Sequence, residues 1–142
     1  MLSIPEGYTA QHRLRVREEM TVDFEQSTPG LGKLHPVYAT YWLTKHTELV
    51  SRKLILPFLE PDEEGVGFEV ALKHVAPTLV GMEVSLSATL LRQEGGRVYA
   101  RCEAFHELGD KIGEGTTTQV VMRRERLEQA FSDLRTRWSA HA

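Results

Sequence analysis

Along residues 12–24, HRLRVREEMTVDF, apolar side chains fall at Leu14, Val16, Met20, Val22 and Phe24, while Arg13, Arg15, Arg17, Glu19, Thr21 and Asp23 take the alternate side. This period of two predicts a strand with one buried face over His12 to Phe24, with Glu18 the one discordant residue. Residues ahead of it form a loose leader. EQSTPGLGK, rich in Gly, Pro, Ser and Thr, reads as a loop. From Val37 to Phe58 the period changes: Leu43, Val50 and Leu54, with Trp42 and Leu49 alongside, recur at helical spacing, and Pro57 limits the C-terminal end.

After EPDEEG the period returns to two. Strands are predicted over Gly67 to Val75, Met82 to Gln93, Arg97 to Leu108 and Lys111 to Arg123. Glu94-Gly95-Gly96 and Gly109-Asp110 are short enough to force antiparallel hairpins between the last three. The tail RRERLEQAFSDLRTRW carries Leu127, Ala130 or Phe131, Leu134 and Trp138 at helical intervals, which predicts an amphipathic helix laid on the outside or across an edge. The order is strand, long helix, antiparallel meander and terminal helix, an α+β arrangement filling a single domain over residues 1–142. One long helix covers one face of such a sheet, so the other face is wet, capped by the last helix or paired with another chain, and a homodimer is expected.

Composition narrows the partners. Seventeen Lys and Arg against 20 Asp and Glu give a net charge of −3, with 41% hydrophobic and 26% charged residues. No global basic field exists to hold nucleic acid or an anionic membrane. A single cysteine, Cys102, excludes an intrachain disulfide framework and a multi-Cys zinc site, and is expected as a buried thiol. With no signal-peptide pattern and no apolar run of spanning length, a cytoplasmic location is expected. P-loop, dinucleotide GxGxxG, HExxH and GxSxG patterns are all missing from the sequence, and no metal or cofactor is expected.

Of six histidines, His74 and His106 are the two predicted to fall inside strands, with His12 at the very start of the first. In FEVALKHV the apolar face of Phe68, Val70 and Leu72 continues into His74, an imidazole where Val or Ile is the usual occupant. It suits either a hydrogen-bonded core histidine or a catalytic one. His106, close to the turn at Gly109, reads as a surface residue ending its strand. Glu48, in the middle of the long helix, suits an exposed i,i+4 pair with Arg52 or a carboxylate base beside the buried seam. Thr40 suits an N-cap or a hydroxyl that binds a carbonyl or water at an electropositive helix start. Eight helical residues separate Thr40 from Glu48 by about 12 Å, so both meet one small substrate only if the helix bends or the groups come from different subunits. Gly67 suits a turn or an unobstructed N–H donor to an oxyanion.

VYATYWLTKHTELV, GFEVALKHVAPTLVG and KIGEGTTTQVVM together resemble the hotdog-fold acyl-CoA thioesterases of the fluoroacetyl-CoA thioesterase type, over roughly Val16 to Arg126. The intervals of eight and then twenty-six residues, from Thr40 to Glu48 to His74, carry much of the likeness. The resemblance implies a hotdog fold, with a long central helix wrapped by an antiparallel sheet, and a homodimer hydrolysing an acyl-CoA thioester at sites on its interface. It implies catalytic roles for Thr40, Glu48 and His74, and oxyanion binding by the Gly67 N–H. Thr117 and Gln119 stand where the family commonly has His and Arg. Leu34 stands at the aromatic lid position associated with fluoroacetate selectivity, so fluoroacetyl-CoA is not the expected substrate. Tyr41 and Trp42 replace smaller or simpler residues at the helix start and are expected to reshape the acyl pocket.

Because CoA carries phosphates, local basic groups are expected to hold it, the candidates being Lys73, Arg92, Arg97 and Arg101. The alternative function is a non-catalytic hotdog protein that binds acyl-CoA or another hydrophobic ligand. A hotdog hydratase is disfavoured because its usual Asp and His pair is not visible, and a purely structural domain remains the least specific reading.

Overall fold

The computed structural model describes residues 1–25 and 27–141; Gln26, within the predicted loop, and Ala142 lie outside the described residues. Among the described residues seven strands and two α-helices run in the order β1 (Thr9–Arg15), β2 (Thr21–Asp23), β3 (Lys33–Tyr38), α1 (Thr40–Ile55), β4 (Glu63–His74), β5 (Glu83–Glu94), β6 (Arg97–His106), β7 (Lys111–Arg123) and α2 (Arg124–His141). Five strands form one antiparallel sheet in the order β1-β5-β6-β7-β4, and β2 pairs with β3 in a small second sheet. This is the hotdog arrangement, with α1 lying on the inner face of the sheet.

The core explains why the helix sits there. Leu43, Val50, Leu54 and Ile55 of α1 are buried against Val84, Leu86 and Ala88 of β5, Val98, Ala100, Cys102 and Ala104 of β6, and Ile112 and Val121 of β7. The inward positions under the middle of the helix are small, which lets its backbone approach closely. Toward β4 and β7 three positions that face α1 carry no side chain at all. A Cβ at Gly113 would stand 2.8 Å from Leu43 Cδ2, and one at Gly65 or Gly67 would overlap Ile55 Cδ1 or Glu48 Oε1. These three glycines form a trough in which α1 is seated.

Several predicted boundaries need correction. The strand expected over His12 to Phe24 is two strands separated by a 3-10 turn at Glu18–Met20, where the buried side chains of Val16 and Met20 anchor a bend. The discordant Glu18 marks that break. The leader is not loose, since Ile4 is buried and the Leu2 N–H donates to the Phe58 carbonyl at 2.8 Å. The end of the predicted loop and the start of the predicted helix form β3, whose mostly exposed residues carry no apolar alternation. With β1 and β3 in place, His12 and His35 are strand residues as well. Strand β4 starts at Glu63, four residues early, and is bulged between Gly67 and Glu69; Phe68 is the unpaired residue and is 62% exposed rather than facing the core. The hairpin turns are as expected, with Gly95 and Gly109 at φ of 59° and 93°.

His106 is buried rather than exposed. Its Nε2 lies 3.2 Å from Asp110 and its Nδ1 accepts from the Leu108 N–H, so it braces the turn between β6 and β7. The tail is helical as expected, yet α2 is not laid across the sheet: its contacts are with β7, the start of β4 and the Pro61–Asp62 loop, and it buries no residue.

Candidate active site

One flank of α1 runs along β4 in the opposite sense, and the candidate residues fall on it. At the helix start, Ala39 is the N-cap without a side-chain cap and Thr40 is the first helical residue. The Thr40 hydroxyl is therefore free to reach the last residue of β4, and Thr40 Oγ1 lies 2.9 Å from His74 Nδ1. Two turns on, the Glu48 carboxylate packs over Gly67 in the space a side chain there would fill. One more turn on, Arg52 donates to the Gly65 carbonyl at 2.8 Å and to Glu64 at 2.9 Å. Arg52 is thus committed to β4, and the i,i+4 pair with Glu48 does not form. Glu48 has no ion pair or hydrogen bond among the described residues, and its side chain is exposed.

His74 is half-buried, and its Nε2 is shielded from solvent without a hydrogen-bond partner among the described residues. Burial pushes its pKa below the ordinary value, with the Ala76 backbone acting the other way, so the ring is neutral at neutral pH. A neutral imidazole held at Nδ1 presents Nε2 as a lone pair or an N–H, according to tautomer. Both forms serve acyl transfer, as base or as hydrogen-bond donor.

A second histidine, absent from the sequence expectations, stands behind the first. His46 is buried in α1, its Nδ1 hydrogen-bonded to Tyr38 Oη, its ring stacked on Tyr38 at 5.9 Å and tilted toward Trp42 at 5.7 Å. Burial, with lesser effects of His12, Lys45 and Arg17, pushes His46 down to about 4. Tyr38 in turn sets its ring edge-on to His74 at 6.4 Å. The available signal was position 46 lying three residues from both Leu43 and Leu49, on the apolar side of α1.

The chain brings together Thr40 with His74, and Glu48 with Gly67, as two separate pairs. The helix is continuous between them, so they stand about 12 Å apart along its axis. Gln119 is directly opposite Gly67 in the β4–β7 ladder and is buried. Thr117 is buried too, and binds Ser51 at 2.6 Å, which in turn contacts Cys102 at 3.4 Å. Leu34 lies exposed on β3. The Tyr41 hydroxyl is spent on the backbone of Thr21 and Asp23, tying β2 to the start of α1. Among the candidate CoA ligands, Arg92 lies over Tyr99 and pairs with Glu94, Arg97 lies over Phe68, and Arg101 is 3.8 Å from Glu103. Lys73 borders a cavity on the outer sheet face with Arg101, Lys111, Glu103 and Glu114.

Residues 16–125 match the family model for the fluoroacetyl-CoA-specific thioesterase. The chain is 30% identical over 124 residues to the fluoroacetyl-CoA thioesterase of Streptantibioticus cattleyicolor, covering 80% of this chain and 88% of that protein. Among solved structures, a Thermus thermophilus hypothetical protein of the thioesterase superfamily superposes with a TM-score of 0.94 at 52% identity, over 99% of each chain. A variant of the fluoroacetyl-CoA-specific thioesterase in complex with fluoroacetate and CoA superposes with a TM-score of 0.80 at 28% identity, over 87% of this chain and 98% of that one. Fold, motif residues and these likenesses agree, and the chain belongs to the fluoroacetyl-CoA-specific thioesterase family of hotdog-fold thioester hydrolases.

Proposed function

We propose that the protein is a homodimeric acyl-CoA thioesterase whose two sites are each assembled from both subunits, Thr40 and His74 coming from one and Glu48 and Gly67 from the other. The observation that carries this reading is the division of the four residues into two pairs about 12 Å apart on a straight helix. Strand β4 is a sheet edge, and both pairs lie beside it. A two-fold axis through that edge runs α1 antiparallel to its copy, which sets the start of one helix beside the middle of the other. Each half-site then meets its complement.

In the completed site the Gly67 N–H, at the β4 bulge, binds the thioester oxygen and gains strength as negative charge develops there. Glu48 is the attacking carboxylate or the base that deprotonates the attacking water. His74, oriented by Thr40, handles the proton that accompanies the reaction as the C–S bond breaks to release CoA thiolate; with water as the attacker the acid forms directly, and with Glu48 as the attacker the acyl group is left on it as an anhydride that water then hydrolyses to the acid, restoring the carboxylate. Leu34, Tyr41 and Gln119 shape the acyl end. Lys73, Arg92, Arg97 and Arg101 are available to the CoA phosphates, with Lys73 and Arg97 forming no ion pair among the described residues. With no aromatic side chain at Leu34, simple short or medium acyl groups are favoured over fluoroacetyl. The reaction suits a cytoplasmic CoA pool.

Complementation tests the shared site. Glu48→Gln and His74→Ala homodimers are each expected to be inactive toward a panel of short, aryl and medium-chain acyl-CoAs. Unfolding and refolding them together regenerates one intact site in each mixed dimer, restoring about a quarter of wild-type activity under random pairing. No recovery, with mixed dimers demonstrably formed, places both residues in one chain and overturns the shared site. Absence of hydrolysis by the wild type across the panel overturns the enzyme, and tight CoA binding without turnover identifies the non-catalytic hotdog protein instead.

A further inference from the structure

Helix α2 presents a stripe that its own chain leaves uncovered. Beyond the half-buried Leu127 every described residue of α2 is exposed, including Phe131 at 47%, Leu134 at 56% and Trp138 at 76%. Leu127, Phe131, Leu134, Trp138 and His141 follow at alternating steps of four and three, the seam of a two-heptad coiled coil. Its flanks carry the orientation. In an antiparallel pair that stacks Phe131 on Leu134 of the second copy and Leu127 on Trp138, Glu128 of each helix flanks Arg135 of the other, twice by symmetry. A parallel pair sets Arg135 beside Ala130 and gains no opposite charge.

We propose that α2 is an assembly helix, pairing antiparallel with α2 of a second copy of this chain to join otherwise separate particles. Strand β7 runs directly into α2 next to the beginning of β4. In a dimer joined along β4, as proposed above, the two helices therefore leave from opposite ends of the common sheet. Each then seeks its mate on another dimer. Two such seams close a tetramer, in which short contacts reinforce one another. The pairing does not depend on the thioesterase chemistry, because nothing on α2 touches the candidate site.

Sedimentation velocity at micromolar concentration reads the outcome as mass. Leu134→Glu and Trp138→Glu are expected to halve the wild-type mass while retaining wild-type circular dichroism and hydrolytic activity per chain. Glu128→Arg and Arg135→Glu, each creating two like-charge contacts, are expected to weaken assembly singly. Mixing those two variants, or combining both changes in one chain, is expected to restore it. An unchanged mass in Leu134→Glu overturns the proposal, as does a mixture no better assembled than its components. Protection of α2 only on adding anionic vesicles to a protein of the Leu134→Glu mass overturns it in favour of a lipid surface.

Discussion

Thr40 Oγ1 and His74 Nδ1 lie 2.9 Å apart, so the first residue of α1 fixes the imidazole at the end of β4. Removing that hydroxyl frees the ring to rotate without emptying the site. Thr40→Val is expected to lower kcat by about 10- to 100-fold, within the range of positioned acid–base groups, with Thr40→Ser close to wild type. Steady-state kinetics on one acyl-CoA checks this; equal losses in both variants would mean that the hydroxyl does not orient the ring.

The pH profile follows from the same ring. Burial lowers the His74 pKa, so the neutral, proton-accepting form persists to lower pH than for a free imidazole. Activity is expected to hold through neutrality and to fall only on acidification past the ordinary histidine value of about 6.5. An acid limb in kcat/KM centred above that value would contradict the assignment.

Gly67 and Glu48 are expected to be inseparable. A methyl group at residue 67 overlaps the Glu48 carboxylate, so Gly67→Ala displaces the acid and crowds the bulge. It is expected to lose activity to nearly the extent of Glu48→Gln while unfolding within a few degrees of wild type. Full activity in Gly67→Ala would remove Glu48 from the reacting geometry.

Stability against acid is expected to depend on His46, which is hydrogen-bonded to Tyr38 in the core and pushed down to about 4 by burial. Above pH 6.5 the ring is neutral in both the folded and unfolded chains. Between that pH and about 4 the unfolded chain takes up the proton and the folded one does not, so stability falls as pH falls, by at most about 3 kcal/mol. Thermal unfolding of wild type and His46→Gln across this window checks the slope, which flattens in the variant.

Ser51 joins α1 to β7 through Thr117 at 2.6 Å, with Cys102 alongside. Ser51→Ala leaves the buried Thr117 hydroxyl only its long contact with Cys102 Sγ at 3.8 Å and is expected to cost about 1–3 kcal/mol in chemical denaturation. A change below a few tenths would show the network to be incidental.

What the residues alone revealed follows their physics. The period-two runs of β5, β6 and β7 were legible because one face is buried at nearly every alternate position, and β7 was placed to the residue. Strand β3 was not, because its burial is slight and its pairing with β2 is irregular. The inward aim of His74 was readable from Val70 and Leu72, whereas Phe68 misled because a bulge shifts the alternation by one residue. Thr40, Glu48 and His74 were named through their spacing and family likeness. Their sorting into two pairs needed three dimensions, since it depends on a straight helix lying antiparallel to one strand. Cys102 is buried as expected from its residue type.

The glycine trough sets the terms on which this protein can change over time. Each of Gly65, Gly67 and Gly113 is matched to one side chain of α1, Ile55, Glu48 and Leu43 respectively. A larger residue at any of the three demands a smaller one across from it, and at Gly67 the smaller one would replace an acid. Variation in acyl preference is therefore expected to accumulate around β3 and the start of α1, while the strip of sheet beneath the helix stays glycine.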